Sequence, residues 1–204
     1  CFNSGDTVWE VTLDGEDHLD DHGHAVAVDG AGAIVVVGST GVTGEDTNIY
    51  IVKVAGEDGA VVWQRDVSGV GPDVGYDVAT SSANAIVVTG TYLFSLKAAA
   101  AAEIYTAGFA PNGNEKWSGK TTTDGNGRAI IVAPDDSVYT TGDIQGPMGP
   151  DLWLERRDAA GAVTADALLV VDRRDVLPEA RHVAAAVRGV RTRGARVLRD
   201  AIVA

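Results

Sequence analysis

The chain has 204 residues, 29 Asp plus Glu against 16 Lys plus Arg, a formal net charge of −13 and 45% apolar residues. That apolar share supplies a core and excludes wholesale disorder, while the acidic balance excludes a face built for nucleic-acid phosphates. The one cysteine, Cys1, excludes an internal disulfide framework and a cysteine-based metal cluster, and no apolar run approaches the ~18 residues that span a bilayer.

In chain order, residue 1 is the only cysteine and the polar stretch Asn3–Thr7 follows it. This looks like a bacterial lipoprotein after signal-peptide cleavage. On that reading Cys1 carries the lipid, residues 1–6 are a tether and acyl chains hold the protein at a membrane. The alternative is that residue 1 is merely where a fragment begins. A d-type strand is predicted around Trp9. The run Glu16–His24 holds three of the four histidines. Imidazole and carboxylate side chains bind divalent cations, so His18, Asp21, His22 and His24 are candidate metal ligands. The corresponding later stretches, Pro72–Tyr76 and Asp124–Arg128, have no histidine and share only an acid and a glycine, so a solvated loop is the default.

A repeat organises everything from residue 7 to 171. Trp9, Trp63 and Trp117 stand 54 residues apart, and Gly23–Gly38 aligns without gaps on Gly75–Gly90 and Gly127–Gly142 at steps of 52. Ile49-Tyr50, Ile104-Tyr105 and Leu152-Trp153 form a third anchor. Its spacing varies because the preceding loop varies, the longest copy holding the Ala-rich insert Lys97–Glu103. Each unit reads as four strands, taken in the first as a (Ala25–Val28), b (Ile34–Val37), c (Ile49–Val54) and d (Val61–Val67). Gly, Asp, Asn and Pro at the a–b and c–d junctions supply tight reversals. The units are about 7–67, 68–121 and 122–171.

Short reversals make these sheets antiparallel. Strand b is apolar throughout (Ala33–Val37, Ala85–Val88), so both its faces must be covered, whereas strand d is polar around its Trp and reads as an outer edge. The fold class is therefore all-β: β-propeller-like blades of four antiparallel strands, about thirteen strands in all. Three units fall short of the ~4–8 blades of a closed propeller. The ring is incomplete, and its end faces should be apolar and prone to oligomerisation.

The pattern Ala27–Thr40 (AVDGAGAIVVVGST), continued by Ile51–Val54 and Gly59–Trp63, resembles the SBBP repeat, named for seven-bladed β-propellers. The first two copies match well; the third, with Ser137–Gly142, holds to Gly161 and then loses its Trp. The resemblance implies a secreted or envelope protein, often bacterial, with no common enzymatic activity. The Trp-bearing d strand is also similar to repeats of quinone-dependent dehydrogenases, where the Trp packs blades together and does not imply the cofactor.

Two motif readings fail on context. Gly69–Gly75 lacks the following helix of a nucleotide loop, and Asp124–Arg128 puts Arg128 at a calcium-ligand position. No nucleophile–base pair emerges, so no catalytic residue and no cofactor is assigned. Residues 1–171 carry 25 acids and 8 bases, whereas 172–204 carry 4 and 8. This basic Arg/Ala-rich tail reads as a helix over Leu177–Arg188 or as irregular chain, and as a cap, a polyanion-binding segment or out-of-frame translation. The leading functional expectation is a non-enzymatic binding scaffold of the bacterial envelope, outer membrane or cell surface, otherwise secreted. Its partners would be a protein or glycan, a membrane through the Cys1 lipid, and a second copy completing the ring, with no nucleic acid. The alternatives are a propeller hydrolase, lyase or quinone-dependent oxidoreductase with its site in the loops at the ring mouth, and a truncated or frameshifted remnant.

Overall fold

The computed structural model describes residues 6–44, 46–93 and 102–164. Cys1, most of the Ala-rich insert, the end of the third unit and the tail 172–204 with its predicted helix lie outside the described residues. The described fold is all-β and antiparallel. Ten strands run β1 (His22–Val28), β2 (Ile34–Val42), β3 (Asp46–Val54), β4 (Val61–Val67), β5 (Val74–Thr80), β6 (Ile86–Leu93), β7 (Ala102–Phe109), β8 (Glu115–Val132), β9 (Val138–Gly146) and β10 (Gly149–Arg157). The first blade is the sheet β1-β2-β3-β4; the other two share one sheet, ordered β10-β9-β8-β7-β6-β5. The sheets do not close on themselves, and the three blades form an incomplete ring.

Three differences from the predicted thirteen strands have physical causes. The segment around Trp9 has no ladder partner among the described residues. The last strand of blade 2 and the first of blade 3 are a single strand, β8, which pairs with β7 up to Asp124 and with β9 from Gly125. The stretch Asp124–Arg128, predicted as a loop, is thus the point where one strand changes partners. It needs no reversal, and a bulge between Gly127 and Ala129 turns it into the next blade. The fourth strand of blade 3 is represented among the described residues only by a bridge from Val163 to Arg157.

The cores lie between blades. Val35, Val37, Ile49 and Ile51 of blade 1 pack on Val78, Ile86, Val88, Tyr105, Ala107 and Phe109 of blade 2. Val87 of blade 2 meets Ile130 and Val138 of blade 3. Every strand therefore has a backward face, toward the preceding blade, and a forward face, toward the next. This is why strand b is apolar on both sides, and why β4, at an outer edge, is mostly exposed. The tryptophans lock this stacking. Trp63 lies against Gly113, the c–d turn glycine of the next blade, and its indole Nε1 donates to Pro111 O at 3.0 Å. Trp117 sits on Gly161 in the same way, and Trp9 sits on Gly59, donating to Gly56 O.

A carboxylate clasp recurs where each of the first two blades begins. Asp21 accepts from Gly15 N and Gly41 N; Asp73, 52 residues on, accepts from Gly69 N and from Leu93 N at 2.6 Å. Asp73 is fully buried, and burial pushes its carboxyl up to about 6 against those two hydrogen bonds, with Asp46 raising it further and Lys120 opposing. A carboxyl raised in the folded state takes up its proton earlier there than in the unfolded chain, so its contribution to stability grows as pH falls from about 6 to about 4. Urea unfolding of wild type and Asp73→Asn between pH 7 and pH 4 should show wild type gaining on the variant across that window. A constant difference would contradict this.

Candidate functional site

Contacts of β1 with β5, and of β5 with β8, stand the first strands of the three blades side by side. Each carries a bulge at the same place: between Gly23 and Ala25, Gly75 and Asp77, and Gly127 and Ala129. A bulge leaves one residue outside the ladder and re-aims its side chain. The three residues are His24, Tyr76 and Arg128, one per blade at equivalent positions.

They form a continuous row. His22 stacks on His24 at 6.4 Å with the rings 3° apart, and His24 stacks on Tyr76 at 5.7 Å. The Arg128 guanidinium lies 4.9 Å from the Tyr76 ring centroid, a cation–π distance. The His24 ring is fixed by a 2.8 Å hydrogen bond between Nδ1 and Gly75 O. Arg128 Nε donates to Asp143 Oδ1 at 3.1 Å; Asp143 Oδ2 accepts from Asn126, whose amide oxygen accepts from Thr91 Oγ1. The row offers flat rings, a cation and amide and hydroxyl groups. That is the equipment for stacking and hydrogen-bonding a ligand, and no group in it is poised as a nucleophile beside a base.

The four residues singled out from the sequence as metal ligands do not assemble. His18 is bonded to Asp14 at 2.6 Å on the surface, and the carboxylate of Asp21 is spent on the backbone clasp. His22 and His24 enter the row as rings. Among the described residues, no three His, Cys, Asp or Glu side chains converge as a metal site. The sequence singled out His22 and His24 only as metal-ligand candidates, and it did not single out Tyr76 or Arg128. The available signal was the column of the 52-residue alignment directly after Gly23, Gly75 and Gly127, which holds His, Tyr and Arg.

Two other polar clusters are structural. Lys53 Nζ and Asp29 Oδ2 form a buried 2.7 Å ion pair, and Lys53 also donates to Pro111 O across the blade boundary. At the a–b turns, Gly30 N donates to Asn84 Oδ1 and the Ser82 hydroxyl reaches the Asp136 carboxylate, tying each turn to the next blade's. No protein-family model matches the chain, and no curated protein matches it.

Proposed function

We propose that this chain is a non-enzymatic binding scaffold of SBBP-repeat type, working in the bacterial envelope or secreted from it, and that it recognises a protein or glycan through the His24–Tyr76–Arg128 row. One observation carries this reading. A single backbone device, the bulge, is repeated in all three blades, yet it presents three chemically different side chains in one line. The glycines that face the bulges, Gly38, Gly90 and Gly142, keep their residue type, whereas the residue each bulge displays does not. A fixed frame displaying varied side chains is what a recognition surface requires.

The test is a binding screen of the intact protein against a glycan array and a peptide library, run beside Tyr76→Ala and Arg128→Ala. Ligands of the row should lose at least tenfold in affinity with either variant, about 1.4 kcal/mol, while far-UV circular dichroism stays unchanged. Ligands that bind both variants as well as wild type would remove the row from the function. Turnover of an esterase, glycosidase or quinone-coupled dye substrate by purified protein would replace the scaffold with an enzyme.

A further inference from the structure

The two junctions between blades are built alike but filled differently. Between blades 1 and 2 the Lys53 side chain crosses the boundary, with its Nζ on Asp29 and on Pro111 O. Lys53 stands opposite Trp63 in the ladder, and the Trp63 indole donates to the same carbonyl. Between blades 2 and 3 the equivalents of Asp29, Lys53 and Pro111 are Ser81, Gly108 and Ala159, which precedes its turn glycine by two residues as Pro111 does. Gly108 stands opposite Trp117 and has no side chain to hold the indole back. The ring leans over it, with Nε1 2.5 Å from where a Gly108 Cβ would lie. Among the described residues the Trp117 N–H donates to no group, and Ala159 O accepts from none. A cavity of about 200 Å³ lies at this junction. That is below the ~300–1,000 Å³ of sites for drug-sized ligands and suits a smaller molecule.

The cavity has an apolar floor and two kinds of polar group. Ala85, Val87, Phe109, Val132 and Val138 make the floor. Ser81 Oγ already accepts from Ala83 N and Ala85 N, so what it has left to offer is its hydrogen. Trp117 adds its indole N–H, and the exposed Lys116 adds an ammonium that forms no ion pair among the described residues. The acceptors are Ala159 O and the Asp136 carboxylate, which takes only the Ser82 hydroxyl, at 3.2 and 3.3 Å. We propose that this cavity binds a small aliphatic amino acid. Its carboxylate receives the donors of Ser81, Lys116 and Trp117, its ammonium lies on Asp136 and Ala159 O, and its side chain covers the floor. A molecule with only one of the two charges would leave Lys116 or Asp136 unmatched beside it. The cavity lies by the a–b turns, at the opposite end of the first strands from the His24–Tyr76–Arg128 row, and does not depend on what that row binds.

Each tryptophan indole gives its own N–H signal in heteronuclear NMR spectra of the full chain, and Trp117→Phe identifies the one that belongs to Trp117. Titration with L-leucine should shift that signal with a Kd of about 1 mM or tighter. The Trp63 signal, whose N–H is already bonded to Pro111 O, should stay in place. Isopentylamine and isocaproate keep the side chain and lose the carboxylate or the ammonium; each should bind at least about tenfold more weakly. Lys116→Met should abolish the preference for leucine over the amine, and Asp136→Asn the preference for leucine over the acid. Neither residue belongs to the buried core, so circular dichroism should be unchanged in both variants. No shift of the Trp117 signal at about 10 mM L-leucine overturns the proposal. So does either analogue binding as tightly as leucine, or a preference that survives both substitutions.

Discussion

Replacing Lys53 with Met is expected to cost about 3–5 kcal/mol in denaturant unfolding, because it strands a buried carboxylate. The Asp29 side chain is fully buried and that of Lys53 is 8% exposed, with 2.7 Å between Nζ and Oδ2. Burial alone would raise the Asp29 carboxyl. The hydrogen bond to Lys53 and those from Ala33 N and Ala31 N outweigh burial and hold it below the usual carboxylate range. With Met at 53 only the backbone donors remain. The carboxyl then rises, so the deficit against wild type should be largest near pH 7 and shrink as acid protonates Asp29. The repeat itself shows that the fold does not need the pair. In blade 2 the equivalent positions are Ser81 and Gly108, and Ser81 Oγ takes Ala83 N and Ala85 N, both at 3.2 Å, much as Asp29 Oδ1 takes Ala31 N and Ala33 N. Both members of the pair changed together. The double variant Asp29→Ser with Lys53→Met should accordingly recover most of the loss, and a double-mutant cycle with no coupling would refute the assignment.

That exchange also marks how far the sequence could be read. The blade period, the four-strand unit and the polar outer strand are legible because they rest on spacing and alternation, which survive substitution. The span Val61–Val67 predicted for the fourth strand is the span observed. Whether a segment pairs is a tertiary matter. Residues 9–13 carry the Trp of a fourth strand, yet they have no ladder partner among the described residues. The fusion of two strands in β8 was hidden by Asp124, Gly125 and Asn126, which read as a turn although Asp124 pairs with Glu103 of β7 and Gly125 and Asn126 pair with Ile144 and Asp143 of β9. The candidate site was hidden for a related reason. Histidines draw attention as metal ligands wherever they cluster, but which of them face one another depends on the bulge. Only the backbone shows that His24 belongs with Tyr76 and Arg128 instead of with His18 and Asp21.

Gly90→Ala is expected to cost about 3 kcal/mol, the upper end for overpacking, since the obstacle is backbone and not a yielding side chain. A Cβ at Gly90 would lie 2.2 Å from Val74 O, and the same holds at Gly38 against His22 O (1.8 Å) and at Gly142 against Asn126 O (1.9 Å). Each glycine stands on the second strand of its blade, opposite the bulge in the first, paired as Gly23↔Gly38, Gly75↔Gly90 and Gly127↔Gly142. The bulge pushes the first strand's carbonyl toward its neighbour, and only a residue without Cβ leaves it room. The repeated glycine and the displayed His24, Tyr76 and Arg128 are thus two sides of one device, so damage to the first should reach the second. Besides lowering the denaturation midpoint, Gly90→Ala should displace Tyr76 from its stack between His24 and Arg128, visible as a shift of the Tyr76 ring resonances in NMR spectra. Gly23→Ala is the control, because a Cβ there meets only Val36 Cγ1 at 3.7 Å. It should stay within about 0.5 kcal/mol of wild type. Equal losses from the two variants would mean that the glycines serve the chain's flexibility and not the bulge.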